Sequence, residues 1–314
     1  MSKPVLLIAQ AILAPLTGRL EPDYELLRLW DYPDRDTFLA GDGQRVQAIV
    51  AAGEGVLEPA FLAGLPSLKL IACVSAGYDG IDPAWCAANG VAVTHSPGVN
   101  AEDVADHAVG AAIAAWRGIV DGDRRVREGR WTDTDRGPTR GSLKGRAVGV
   151  VGLGGIGQAV AVRMAAFGCR VAWWGPRPKP DASWPLADSL MVLAETSDLL
   201  FVTVRADAAS RGLIDRTVIE AVGPRGLICN VSRGFVIDQP ALIAALKDRR
   251  LGYAALDVFD PEPTSAEIWR DVPNAVLTPH TAGATFDSLP HMVGLMTENL
   301  RRHFAGEPLK TPII

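Results

Sequence analysis

The sequence predicts doubly wound α/β architecture on parallel sheets, and three observations carry the prediction. Short apolar runs alternate with longer, Ala-rich helical stretches, the runs are unbroken by polar residues, and one of them leads straight into a glycine-rich turn. Parallel strands covered by helices on both faces read as continuous apolar runs, whereas half-solvated strands alternate. Regular strand–helix alternation is the pattern of α/β folds. A length of 314 residues suits two domains.

In chain order, strands are predicted at residues 5–9, 48–52, 68–74, 91–94, 147–152, 170–174, 199–204, 226–231, 253–258 and 275–278. Residues 5–9 read as the first strand and not as a signal peptide, which needs a longer apolar core and a small-residue cleavage site. Asn100 suits a helix N-cap, with Asp103 at the capping-box distance, and the Ala-rich run to about residue 116 suits a connector between domains. Residues 130–144, rich in Pro and charge, read as an exposed excursion, with an oligomer contact as one use for it. The last helix, from about Ser288 to Phe304, carries Met292, Leu295, Leu300 and Phe304 on one side and is long enough to return to the first domain.

Composition is 48% hydrophobic and 21% charged with a net charge of −5, ordinary for a globular protein and without the basic surface that nucleic acid requires. No apolar run reaches the roughly 18 residues of a membrane span. The four cysteines, Cys73, Cys86, Cys169 and Cys229, form no CxxC pair and neighbour no His at ligand spacing. That usage predicts a reducing cytoplasm and no metal site.

The strand 147–152 runs into Gly152-Leu153-Gly154-Gly155-Ile156-Gly157, and a helix follows to about Gly168. Between a strand and a helix this is a dinucleotide-binding fingerprint. Gly152 permits the tight turn, Gly154 lets a pyrophosphate approach the backbone, and Gly157 lets the helix pack close to the sheet. The helix N-terminus offers unpaired N–H groups to phosphate. A glycine turn with no ligand is the bland reading, and the strand–turn–helix context argues against it. The end of the next strand selects the cofactor. NAD sites place an acid there, but this chain has Gly175, followed by Arg177 and Lys179. A cation suits a 2′-phosphate, so NADP is favoured over NAD, with a solvated basic loop as the alternative.

Arg233, Glu262 and His280 each follow a predicted strand, at the sheet edge where ligands of open α/β sheets bind. Reducing a 2-keto acid adds hydride to carbon and a proton to oxygen. His280 suits the proton donor, Glu262 the carboxylate that orients the ring and favours its charged form, and Arg233 the cation that binds the substrate carboxylate and polarises the keto oxygen. A lone His after a strand is more often structural, so the weight rests on the three together.

At these residues the chain resembles the D-isomer-specific 2-hydroxyacid dehydrogenase family. The likeness rests on the glycine turn, Asn230-Val-Ser-Arg233-Gly, Ala255-Leu-Asp257-Val-Phe-Asp-Pro-Glu262-Pro and Thr278-Pro-His280-Thr-Ala-Gly283, and runs from about Leu68 to the C-terminus. It implies the same Arg–Glu–His set, and Asp257 holding the nicotinamide amide. Backbone at Val231, Ser232, Ala282 and Gly283 would line the nicotinamide pocket, and Ser75-Ala76-Gly77 would grip the substrate carboxylate through backbone N–H groups. It further implies two Rossmann-like doubly wound domains with the cofactor domain, 99–286, inserted into a flavodoxin-like substrate domain, 1–98 and 287–314, and a homodimer. The strand end bearing Arg177 is similar to the glyoxylate/hydroxypyruvate and hydroxyphenylpyruvate reductase branches, which favour NADPH. There are departures. Gly155 and Asp106 replace commoner residues, and Arg205, after Val204, stands where a Pro is usual; it is either a cofactor contact or solvent-facing. In this family the excursion holding Trp131 can reach a neighbouring subunit, though plain dimer packing serves equally. His107, His291 and His303 show no partner in sequence and are assigned no chemistry.

The expected activity is NAD(P)H-dependent reduction of a glyoxylate- or hydroxypyruvate-like 2-keto acid to the D-2-hydroxy acid. A 3-phosphoglycerate dehydrogenase-like enzyme fits less well, since those carry an acidic NAD selector and often a further domain. Formate dehydrogenases of this fold place Gln where Glu262 stands. The competing class is a non-enzymatic dinucleotide-sensing corepressor, which retains the same three residues.

Overall fold

The computed structural model describes residues 3–314. The chain divides into two compact units, one comprising the chain up to Val99 together with Phe286–Ile314, the other Asn100–Thr285.

The first unit holds a five-stranded, all-parallel sheet in the order β2-β1-β3-β4-β5, formed by β1 (Val5–Ile8), β2 (Glu25–Arg28), β3 (Ala48–Ala51), β4 (Leu70–Cys73) and β5 (Ala92–Thr94). Both faces are covered, as the unbroken apolar runs predict. Along β1, Val5 and Leu7 enter one core while Leu6 and Ile8 enter the other. The second of these cores is closed by the C-terminal helix Ser288–Ala305, through Met292, Val293, Met296 and Leu300. That helix therefore belongs to the first unit, although it follows the second in sequence.

Strand β2 was absent from the sequence expectation. Its residues, Glu-Leu-Leu-Arg, contain a single buried side chain, Leu27. An edge strand with polar ends carries no apolar run to read.

The second unit holds a six-stranded parallel sheet in the order β11-β10-β9-β8-β6-β7. Its strands are β6 (Ala147–Val151), β7 (Arg170–Trp174), β8 (Leu199–Val202), β9 (Leu227–Asn230), β10 (Tyr253–Leu256) and β11 (Ala275–Leu277). Beyond β7 a parallel bridge, Trp173 to Leu186, extends the sheet by one residue pair. Counting that bridge, the order is that of dinucleotide-binding folds. Leu199 and Phe201 of β8 face one core, and Leu200 and Val202 the other.

The helix Ala101–Arg117 opens the second unit and ends at Gly118, whose left-handed backbone (φ 63°) caps it. Ala105, Ala108 and Ala112 are fully buried in the core it shares with the helix Gly155–Ala166. The expected capping box is not there. Asn100 has φ −109° and ψ 16°, outside the extended backbone that side-chain capping needs, and makes no cap bond. Its Nδ2 instead donates to the Gly283 carbonyl at 3.5 Å, and Asp103 accepts the Thr285 hydroxyl at 3.2 Å. Both polar side chains tie the helix start to the segment after β11.

Candidate active site

In the second unit, β6 ends in the glycine turn and β9, β10 and β11 end in the three charged side chains, so the carboxyl edge of one sheet carries all of them. The turn is shaped by close approach. Gly152 has φ 93°, and a Cβ there would lie 2.7 Å from the Val204 Cα. A Cβ on Gly157 would lie 2.1 Å from the Gly152 carbonyl oxygen. Gly154 is the opposite case, exposed, with nothing within 4 Å of the place a Cβ would occupy. It is the N-cap of the helix Gly155–Ala166 and has no side chain to satisfy the first amides. Two tight glycines and one open one at a helix N-terminus fit a pyrophosphate. Leu153 is buried in the core and Ile156 packs against it, so these two offer a cofactor backbone only.

At the end of β7, a Cβ built on Gly175 would lie 3.9 Å from the Gly152 Cα, which puts this strand end beside the glycine turn. Arg177 is exposed and makes no side-chain hydrogen bond or ion pair among the described residues. Arg205 is exposed next to Val204.

Arg233 leaves β9 through a self-bonded turn. Asn230 accepts the Ser232 amide at 3.0 Å and donates to the Arg233 carbonyl at 2.9 Å, while the Arg233 guanidinium donates to the Ser232 carbonyl at 2.7 Å. Gly234 follows because nothing else fits: a Cβ there would meet the Phe259 carbonyl carbon at 1.9 Å. This contact presses the Arg233 turn against the loop that carries Glu262.

Glu262 Oε1 accepts the Phe259 amide at 2.9 Å, and Oε2 lies 2.7 Å from His280 Nδ1. Burial pushes the Glu262 carboxyl up, but His280, the Phe259 amide and the Arg233 charge outweigh it and hold the group below the usual carboxylate range. An ionised carboxylate only accepts, so Nδ1 carries a hydrogen. His280 itself sits in the left-handed region at φ 53°. Such strain in a non-glycine residue persists only where its surroundings over-determine it.

Asp257 supplies that constraint. It is 2% exposed; its Oδ1 accepts the Thr278 hydroxyl at 2.6 Å and the Thr281 amide at 3.0 Å, and its Oδ2 accepts the Ala282 amide at 2.9 Å. Sequence reasoning missed this role of Asp257, and it missed Thr278 and His107, whose Nε2 lies 2.9 Å from the Thr278 hydroxyl. No local signal joins residues 171 positions apart. Ala282 and Val231 are core side chains, Ser232 is buried with its carbonyl engaged by Arg233, and a Cβ on Gly283 would strike Asn100. A groove of about 540 Å³ at the opposite, amino edge of the same sheet, lined by Arg170, Asp198 and Arg225 among others, holds none of the three charged residues.

In the first unit, Ser75, Ala76 and Gly77 follow β4. The Ser75 hydroxyl accepts the Gly53 amide at 2.7 Å and donates to the Gly77 carbonyl at 2.9 Å, and His95 Nδ1 lies 2.9 Å from the Ala76 carbonyl. Among the described residues, nothing accepts the N–H groups of Ser75, Ala76 or Gly77. Unpaired backbone amides are donors that an anion can accept from.

The Glu262–His280 pair predicts a pH dependence. Because its folded pKa is depressed, the Glu262 contribution to stability is complete above the ordinary glutamate value and is lost as pH falls through the lowered one. Glu262→Gln should therefore lower the urea midpoint at neutral pH and converge with the wild-type midpoint as pH falls, so that the variant is the less acid-sensitive protein. An unaltered acid profile would refute the pairing.

Comparison with known proteins agrees with this geometry. The family described as D-isomer specific 2-hydroxyacid dehydrogenase, NAD binding domain, matches residues 109–282. A hydroxyphenylpyruvate reductase of Plectranthus scutellarioides is 36% identical over 311 residues, 98% of this chain and 99% of that protein. A 2-hydroxyacid dehydrogenase structure from Ketogulonicigenium vulgare Y25 superposes with a TM-score of 0.91 at 41% identity, covering 100% of this chain and 99% of the other. An NADPH-dependent glyoxylate/hydroxypyruvate reductase from Sinorhizobium meliloti, solved with NADP and malonate, gives 0.92 at 34% identity, covering 99% and 97%. With a glycine turn, a paired His and Glu, and an Arg on one sheet edge, the chain belongs to the D-isomer-specific 2-hydroxyacid dehydrogenase family.

Proposed function

We propose that the protein reduces a small 2-keto acid of the glyoxylate or hydroxypyruvate type to the D-2-hydroxy acid with NADPH, NADH being the weaker donor. The 2.7 Å pairing of His280 Nδ1 with Glu262 carries the proposal, since it dedicates Nε2 to one proton transfer. When bound at Gly152, Gly154, Gly155 and Gly157, the dinucleotide supplies hydride to the keto carbon. His280 delivers a proton to the keto oxygen, and the Glu262 carboxylate stabilises the imidazolium before delivery. Arg233 binds the substrate carboxylate and draws charge onto the keto oxygen. Ser75, Ala76 and Gly77 offer the carboxylate amide hydrogens. Asp257 can still accept the nicotinamide amide, because a carboxylate takes about four hydrogen bonds and three are in place. Val204, Val231, Ser232, Ala282 and Gly283 serve as walls. Hydroxyphenylpyruvate, glyoxylate/hydroxypyruvate and 2-ketogluconate reductases among the relatives support the substrate class.

A second copy of the chain is the proposed partner. The helix Ile119–Arg127 has no buried residue, and Ile119, Val126 and Trp131 are each more than half exposed. All four cysteines are buried and free, in keeping with a reducing cytoplasm. No described helix is long and apolar enough to cross a membrane.

Three measurements follow. A kinetic panel of glyoxylate, hydroxypyruvate, pyruvate, phenylpyruvate and 2-ketoglutarate with both reduced cofactors should show turnover, and His280→Ala should lower kcat by roughly 10²–10⁴-fold with NADPH binding retained. No turnover with any of them would favour the dinucleotide-sensing alternative. Gly154→Ala should keep the melting temperature but weaken NADPH and NADH alike, whereas Arg177→Ala should weaken NADPH far more than NADH; equal losses in the second variant would remove Arg177 as selector. Sedimentation should give twice the chain mass, falling to one in Val126→Glu with Trp131→Glu.

A further inference from the structure

The contacts around Thr278 fix the direction of a part-buried hydrogen-bond chain. Thr278 Oγ1 donates to Asp257 Oδ1 at 2.6 Å, and a hydroxyl has one hydrogen. Toward His107 it therefore presents only lone pairs, so His107 Nε2, 2.9 Å away, must carry a hydrogen. The same nitrogen lies 3.5 Å from Asp257 Oδ1. The chain runs from His107 through Thr278 to a carboxylate that is 2% exposed.

That carboxylate also accepts the amides of Thr281 and Ala282, and the Asp257 carbonyl accepts the His280 amide at 2.8 Å. Residues on both sides of His280 thus depend on one aspartate, and His280 is held in a left-handed backbone that relaxes if the hold loosens. A buried carboxylate rotates unless its acceptor sites are filled from fixed directions. Thr281 and Ala282 belong to the turn being held. His107, on the long helix Ala101–Arg117, does not, so it anchors the turn to the body of the unit.

We propose that His107 is a positioning residue: its Nε2–H donates to Thr278 and orients the Asp257 carboxylate that fixes the backbone of His280. The proposal deepens the proton-donor reading of His280 and rests on it for its kinetic consequence. An aliphatic side chain would fill the same space without the donor, whereas glutamine places an N–H at similar reach.

The direct test needs no turnover. In protein labelled with ¹⁵N-histidine, which has five histidines to assign, two-bond correlation spectra should show the His107 hydrogen on Nε2, and Thr278→Val should move the ring signals of His280 as well as His107. A bare Nε2 on His107, or His280 signals indifferent to Thr278→Val, would overturn the proposal. Kinetically, His107→Leu should lower kcat about tenfold, since ångström-scale misplacement of a catalytic group costs up to ~10²-fold, with the keto-acid KM within about twofold. His107→Gln should recover most of the rate, and adding His107→Leu to Thr278→Val should slow it no further, as members of one chain are not additive. Equal rates in the Leu and Gln variants, or losses that track melting temperature alone, count against it. A wild-type protein inert toward every keto acid would sink the functional reading, while the spectra would still decide whether His107 holds the turn.

Discussion

Asp257 is the first residue after β10, at the start of the loop that carries Glu262, and it reaches across to the segment after the neighbouring strand. A carboxylate at 2% exposure is stable only when its oxygens are met by donors, and here one hydroxyl and two amides meet them. The donors come from Thr278, Thr281 and Ala282, which bracket His280. Satisfying the buried charge and fixing the imidazole are therefore one requirement. Glu262 then needs only to reach from its own loop, which Gly234 holds against the Arg233 turn by removing a side chain from between them. The parallel register of β9, β10 and β11 is what makes such short reaches suffice.

The glycine turn obeys a similar economy of contact. Gly152 and Gly157 are glycines because backbone occupies the space of a side chain, and Gly154 is glycine where the structure leaves the space open. Packing explains the first two without any ligand. It does not explain the third, which keeps a helix N-terminus bare toward solvent, and an anion does. The end of β7 stands beside that opening with Gly175, so no acid is present to repel a phosphorylated ribose, and Arg177 lies just beyond.

Much of this was legible in the sequence for one physical reason: buried parallel strands must be apolar throughout, and strand ends at the ligand edge must not be. The runs ending before Arg233, Glu262 and His280 announced both facts at once, and ten of the eleven strands among the described residues were visible as apolar stretches. What escaped has equally physical causes. Strand β2 is an edge with one buried side chain and carries no pattern. Asn100 and Asp103 have the residue types and spacing of a capping box, but tertiary partners at Gly283 and Thr285 outcompete the local bonds. His107 reads as one more residue on a helix, since its meaning lies in a strand end far along the chain. Local chemistry predicts well where neighbours in sequence decide the outcome and fails where distant donors do.

The Glu262–His280 pair divides its labour through environment. Burial alone would raise the glutamate pKa and weaken its hold on the charged ring. The Phe259 amide, the Arg233 charge and the imidazole itself reverse that tendency and hold the carboxyl low. Glu262 is thus held in its ionised form beside the ring, where its charge favours the imidazolium. In the proposed reading, where the ring hands over one proton per turnover, a carboxylate partner favours the charged ring that supplies it. In the proposed reading, the Arg233 charge that lowers Glu262 also meets the anionic substrate. Binding a carboxylate at Arg233 would offset part of that positive potential, and so favour the protonated imidazole at the moment its proton is required.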